Sequence, residues 1–381
     1  MAGTIGPLLP SDEGFTHQIV ETFATVGQSD PAWTEKVCGM AAARDGSVQI
    51  AFGFGKYTNR NVMDAYGGIS RGKEQWTVRA SRALASDPES VVVGPIHYEV
   101  IVPLREIRVW LEPNDEQPIA FDFTFVSEVP CIVEDREDRR DLHGFRKATD
   151  QIRYHQTGVA RGWLEIDGQR QQIEPDSWVS TRDHSWGIRP SVGVPPVDTE
   201  PDVHEMIPSA LAIWNPILFE RDDGSRYAFH HYYLNFNGPG FRHEKIQGGI
   251  ELPDGSRQRI HGASPRLRFN PVNKRLLPGE FQFTMEDGSD RSMRFEPISD
   301  TGFHLGAGLY HGFDGKYHGS WRGALNVEGD YFQDCTTADS VARLNQFRDC
   351  MIRVEDPAGG GIGWGNCQTW VHGPWPDYGL S

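Results

Sequence analysis

The sequence predicts an all-β protein folded as two antiparallel barrel or sandwich units with few short helices. Three observations lead there. The chain has 381 residues, more than one hydrophobic core ordinarily serves. Its 42 glycines and 25 prolines punctuate short alternating runs, the pattern of strands joined by tight turns. Helical periodicity is scarce, confined to THQIVETFATVG (16–27) and a short turn around SDPAWTEK (29–36).

Taken in order, residues 97–104, 106–113 and 119–129 read as consecutive strands. In the third, Phe121, Phe123 and Phe125 fall on one face, because side chains alternate along a strand. The segment 131–160 is charged and turn-rich, and its EDREDRRD run reads as a solvated loop. This places a boundary near residue 150, with residues 1–150 as one unit and 151–381 as the other. The second half continues as hairpins: 160–173 turning at Asp167-Gly168, 210–236 at Asp222-Asp223-Gly224, and 243–262 near Pro253-Asp254-Gly255. A further pair flanks Glu286-Asp287-Gly288. Asp-Gly between alternating runs is a strong hairpin signal. The proline-rich stretch 189–203 reads as a long loop, the kind that forms lids or site walls. The tail, GIGWGNCQTWVHGPW (361–375), reads as a closing strand of the second barrel, with Trp370 lining or filling a cavity.

The net charge of −16 repels phosphate backbones and argues against nucleic-acid partners. No apolar stretch approaches the roughly 18 residues of a membrane span. The N-terminal MAGTIGPLLPSDEG has neither a basic leader nor a long apolar run, so a cytoplasmic location is expected; a homodimer is the assembly considered. Five cysteines without a CxxC pair argue against a disulfide framework or structural zinc and read as buried thiols. There is no GxSxG, Walker loop or HExxH, and Gly53-Phe54-Gly55 lacks the rest of a dinucleotide fingerprint.

The sharpest local feature is Thr181-Arg182-Asp183-His184-Ser185-Trp186-Gly187 at a strand end. A carboxylate beside an imidazole offers a proton donor and acceptor near neutral pH. Trp186 shares a face with His184 if the strand continues, giving an apolar wall beside a proton-active group. The alternative is an Asp that bonds backbone at a turn, with Trp186 as core filler.

YHQTGVARGWLEIDG (154–168) followed by RDHSWG (182–187) resembles the lipocalin-like hydroxyneurosporene synthase and AttH-type superfamily. That group includes carotenoid 1,2-hydratase and kievitone hydratase, and has fungal Diels–Alderases as more distant relatives. The resemblance implies two lipocalin-like domains, a ligand pocket between or within them, and no cofactor. It also implies that His184 and Trp186 belong to the site. The hydratases carry a Tyr-x-Asp after the next hairpin turn; here the strand runs Tyr227-Ala228-Phe229-His230-His231-Tyr232-Tyr233, without the Asp.

His230 and His231 are adjacent on a strand, so they point to opposite faces, with Tyr232 sharing the face of His230 and Tyr233 that of His231. His204 and Glu205 form a second candidate acid–base pair at the exit of the proline-rich loop, or a solvated loop. His304, His311 and His318 recur at seven-residue spacing, but no HxH or HxxxH completes a ligand set, and no metal site is expected. The functional expectation is a cofactor-independent lyase (hydratase or dehydratase) or isomerase acting on an apolar small molecule, terpenoid, steroid-like or polyketide-like. Asp183 would orient His184, His184 would donate or relay a proton, Trp186 would stack on the substrate, and His230 or His231 would be the second proton group. A carrier without chemistry, and a pericyclase acting by shape, are the alternatives.

Overall fold

The computed structural model describes residues 7–15, 17, 27–85, 87, 89–140, 145–195, 198–199, 209–238 and 241–381. As expected, the protein is nearly all β, built from a half-barrel sheet and a closed barrel of eight strands. The half-barrel runs, neighbour to neighbour, through Leu325–Phe332, Glu74–Ala83, Val62–Arg71, Val48–Tyr57, Trp33–Ala43, Trp178–Ile188, Lys147–Ile166, Ile119–Ser127, Glu106–Leu111, Ile96–Val102 and Val92–Val93. The barrel runs through Asp290–Pro297, Gly279–Met285, Arg257–Ala263, Phe241–Glu251, Arg226–Gly238, Ser209–Arg221, Gly361–His372 and Arg348–Asp356. The last of these pairs back onto the first and closes the ring, which removes the open edges that invite aggregation.

Alternation puts the apolar residues inside each unit. Phe121, Phe123 and Phe125 join Phe52 and Phe54 in the half-barrel core, as their period-two spacing predicts. Phe229, Phe281, Phe283 and Phe295 fill the closed barrel. Burying each such ring contributes roughly 1.5–3 kcal/mol. The Asp-Gly turns form where expected: Asp167 and Gly168 both take positive φ, 50° and 75°, the conformation a two-residue turn between twisted strands requires.

The change from one sheet to the other falls between Ile188 and Ser209, later in the chain than residue 150. The reason is the 20-residue strand Lys147–Ile166, which runs through the supposed boundary and pairs with Trp178–Ile188 inside the first sheet. The EDREDRRD run is not wholly solvated either. Glu134 is buried and Glu137–Arg140 pairs with the long strand. Late in the chain, Leu325–Phe332 crosses back to pair with Glu74–Ala83, so the two units share their chain as well as their contact surface. The helical stretch expected at 16–27 lies outside the described residues except for His17 and Gly27, and the SDPAWTEK turn leads directly into the strand Trp33–Ala43. Four cysteines are buried thiols, whereas Cys131 is half-buried.

The outer face of the half-barrel packs on the outer face of the barrel. Met40, Ala42, Val159 and Val179 meet Leu218 and Met351 at this seam. Alternation therefore sorts the side chains of both sheets into interior and seam, and the seam is where the two units leave a space.

Candidate functional site between the two sheets

A cavity of about 200 Å³ opens at the seam, large enough for an apolar group and a few waters. The half-barrel contributes Lys36 from Trp33–Ala43, Arg153 from Lys147–Ile166 and Asp183 from Trp178–Ile188; Arg189 follows directly. The barrel contributes Trp214, Tyr232 and Trp370. Tyr310, His311, His318 and Phe347 close it from the connection between the last strands.

Asp183 is the group the sequence singled out that does face this cavity. Its register neighbours are Cys38 on one side and His155 on the other. Among the described residues its carboxylate accepts no hydrogen bond. Burial pushes its pKa above the ordinary carboxylate value, against the opposing pull of Arg153 and Arg189. Across the cavity floor, burial pushes the Lys36 ammonium down to about 8. Its Nζ lies 2.9 Å from His318 Nε2 and 3.7 Å from the centroid of the Tyr310 ring. Cys38 Sγ contacts the Tyr310 hydroxyl; burial raises this thiol to about 11, so it is not a ready thiolate. A carboxyl and an amine with oppositely displaced pKa values in one cavity are a pattern of acid–base sites.

Asp183 does not orient His184. The two are consecutive on a strand and open onto opposite faces. His184 points into the half-barrel, where its Nδ1 lies 3.1 Å from the Tyr154 hydroxyl and its Nε2 lies 3.1 Å from Glu35 Oε1. The chain of contacts continues in both directions. Tyr154 donates to Glu13 Oε1 at 2.9 Å, and Glu13 accepts a two-pronged contact from Arg182 at 2.6 and 2.8 Å. On the other side His17 Nδ1 lies 2.5 Å from Glu35 Oε1. Trp186 stacks on His17 with 3.6 Å between ring centroids. Gly187 is required by the backbone: its φ is +131°, and a Cβ there would lie 2.1 Å from the Asp150 carbonyl oxygen.

Of the remaining candidates, Tyr232 and Trp370 line the cavity. His230 is on the seam, away from the cavity wall, stacked on His155 with centroids 3.7 Å apart. Its Nε2 lies 3.3 Å from Glu134 Oε1. Burial holds its pKa far below the usual imidazole value, so it stays neutral. His231 points into the barrel among Phe229, Phe281 and Phe283, where burial lowers it to about 3. Tyr233 also points inward and donates to Glu244 at 3.2 Å. His204 and Glu205 lie outside the described residues. The histidine run separates: His311 and His318 line the cavity, whereas His304 is buried against Gln75.

Two groups among the described residues have ligand-type atoms close enough for a metal ion: His17, Glu35 and His184, and Glu134, His155 and His230. In the first, the 2.5 Å from His17 to Glu35 is well under the roughly 3.3 Å edge that ligands at about 2.0–2.1 Å make around a tetrahedral ion. In the second, the imidazole planes stack with 23° between them, which sets their nitrogens side by side rather than aimed at one point. Both read as hydrogen-bonded clusters.

Sequence reasoning missed Lys36, Arg189 and Tyr310, and gave His318 no role. The alternation within WTEKVCGM (33–40) would have put Lys36 and Cys38 on a common face, but only tertiary pairing sets that face against Asp183.

Residues 8–381 match the model of a family of unknown function, DUF8625. The chain belongs to this family. Three solved structures are similar to this DUF8625 chain. An AttH protein of Nitrosomonas europaea is 12% identical, with a TM-score of 0.49 over 88% of this chain and 92% of that one. Kievitone hydratase of Nectria haematococca is 10% identical, with a TM-score of 0.44 over 94% and 95%. CghA is 11% identical, with a TM-score of 0.46 over 91% and 90%. The first two carry the names that the sequence resemblance anticipated. No curated protein matches the chain.

Proposed function

We propose that this DUF8625 chain is an enzyme that moves a proton on an apolar small molecule held between the two sheets, the net reaction being addition or loss of water or an isomerisation. The observation that carries this reading is Asp183: a carboxyl without a hydrogen-bond partner among the described residues, facing a cavity walled by Trp214, Tyr232, Phe347 and Trp370. A group that only supported the fold would be tied into a network, as Glu13 and Glu35 are. Burial raises the pKa of Asp183, a shift that suits a carboxyl to giving a proton to a carbon–carbon double bond, or to taking one from an acidic C–H and returning it elsewhere. Water closes the balance in the first case, and nothing further is consumed in the second. Indole and phenol faces on the wall stabilise positive charge that develops on the substrate. Of the apolar classes, terpenoid, steroid-like and polyketide-like molecules fit aromatic walls of this kind.

A carrier needs the apolar walls but not the carboxyl. Native mass spectrometry of the purified protein against a terpenoid, steroid and polyketide panel identifies a bound molecule, and turnover of that molecule is then followed with Asp183→Asn. Binding kept and turnover lost supports the enzyme. Binding and turnover both kept leaves shape alone as the source of rate. No mass shift with any panel member removes the pocket reading.

A further inference from the structure

We infer that the molecule bound in this cavity carries an anionic oxygen group, and that Lys36 and Arg189 hold that group beside Asp183. This rests on the cavity being the ligand site, as proposed above.

The wall of the cavity carries four basic side chains, Lys36, Arg139, Arg153 and Arg189, against two acidic ones, Glu137 and Asp183. That is an excess of positive charge in a chain whose net charge is −16. Some of it is already matched. Arg153 Nε lies 3.4 Å from Glu134, and Arg139 donates to Thr149 and lies over the Phe236 ring. Lys36 and Arg189 differ. Lys36 is 2% exposed, and its near contacts are an imidazole and a phenol ring, neither of which carries a negative charge. Arg189 donates from Nη2 to Ser185 Oγ at 2.5 Å, while its Nε is buried and has no hydrogen-bond partner. Neither forms an ion pair with a carboxylate among the described residues.

A cation taken out of water without a counter-ion is costly. Two acids lie near: Asp183 feels both cations, and Asp64, 4.0 Å from His318, feels Lys36. Among the described residues neither forms an ion pair with Lys36 or Arg189, so both cations lack a direct counter-ion. An anionic ligand oxygen restores the balance, with an unused guanidinium N–H and an ammonium as charge-assisted donors. Lys36 and Arg189 both act on the charge of Asp183, so the anionic group sits at the reacting end of the substrate, not at its apolar tail. The substrate class is thus an apolar, aromatic-sized body bearing a carboxylate or an acidic enol.

A matched pair of fluorescent probes tests this: 1-anilinonaphthalene-8-sulfonate, and N-phenyl-1-naphthylamine, which has the same rings without the sulfonate. The global charge of the protein repels the anion, so any preference for it must be local. We expect the sulfonate to bind at least tenfold tighter than the neutral probe. Arg189→Gln and Lys36→Met should each weaken the sulfonate fivefold or more and leave the neutral probe within twofold, with unchanged circular dichroism. Equal affinities, or a sulfonate advantage that survives both substitutions, overturn the anion subsite while leaving the apolar pocket in place. Failure of both probes to bind overturns the pocket reading together with it.

Discussion

His155, on the half-barrel, reaches across the seam to Glu251 on the closed barrel, with Nε2 and Oε1 2.8 Å apart. Its other ring nitrogen lies 3.1 Å from Glu134. The imidazole is fully buried between two carboxylates, and their charges raise its pKa to about 8 against the opposing cost of burial. Trp214 Nε1 and Gln247 Nε2 donate to Glu134 as well, at 2.9 and 3.1 Å. The ionic seam thus joins the two units next to the cavity.

This seam makes stability fall on the alkaline side. A histidine whose folded pKa is raised contributes fully below its unfolded value near ~6.5 and loses that contribution as pH rises through the folded value. Between pH 6.5 and 9 the wild type should lose about 2 kcal/mol that His155→Gln does not. Urea unfolding of the two proteins across that range checks the difference; parallel curves would contradict it.

Glu13 gives the opposite slope. Its carboxyl is held at about 2 by Arg182 against the desolvation that would raise it. A lowered carboxylate contributes above its unfolded pKa and loses that contribution as pH falls through the folded one. On the order of 3 kcal/mol should therefore disappear between pH 4.5 and 2. Acid unfolding monitored by circular dichroism, compared with Glu13→Gln, measures it.

His184 and the cavity are separable. Because the imidazole points into the half-barrel and bonds Tyr154 and Glu35, His184→Ala should cost about 1–3 kcal/mol of stability by leaving buried polar groups unmatched. Binding of N-phenyl-1-naphthylamine should stay within twofold of wild type. A large loss of binding in a folded variant would show that the two networks are coupled.

Gly187→Ala should be more damaging than its size implies. The backbone is at φ +131°, and the new Cβ would lie 2.1 Å from the Asp150 carbonyl. A cost above about 2 kcal/mol is expected, read as a fall in the melting temperature; a neutral outcome would mean that the strand shifts freely at this point.

Much of the fold was legible because strand alternation and Asp-Gly turns are local. The three strands from residue 97 to 129 and the hairpins turning at Asp167, Asp223, Asp254 and Asp287 all formed where expected. The sheet change was misplaced because a charged, irregular composition looks like a linker, whereas Glu134 and the start of Lys147–Ile166 are buried by pairing with distant segments. The site was half legible. Asp183, Tyr232 and Trp370 line the cavity, but His184 and Trp186 belong to the half-barrel interior and His231 to the barrel interior.

The sequence by itself determined that this chain is β and where its turns fall, since both follow from bond geometry within a few residues. The pairing of Asp183 with His184 expected from it gave way to a strand that sends the two to opposite faces. Only the tertiary structure decided which face became cavity and which became core. That choice depends on how two curved sheets pack. Lys36 and Asp183, on neighbouring strands of the half-barrel, meet Trp370 of the barrel because the outer faces of the two sheets lie against one another, with Arg189 and Tyr310 brought in by connecting segments.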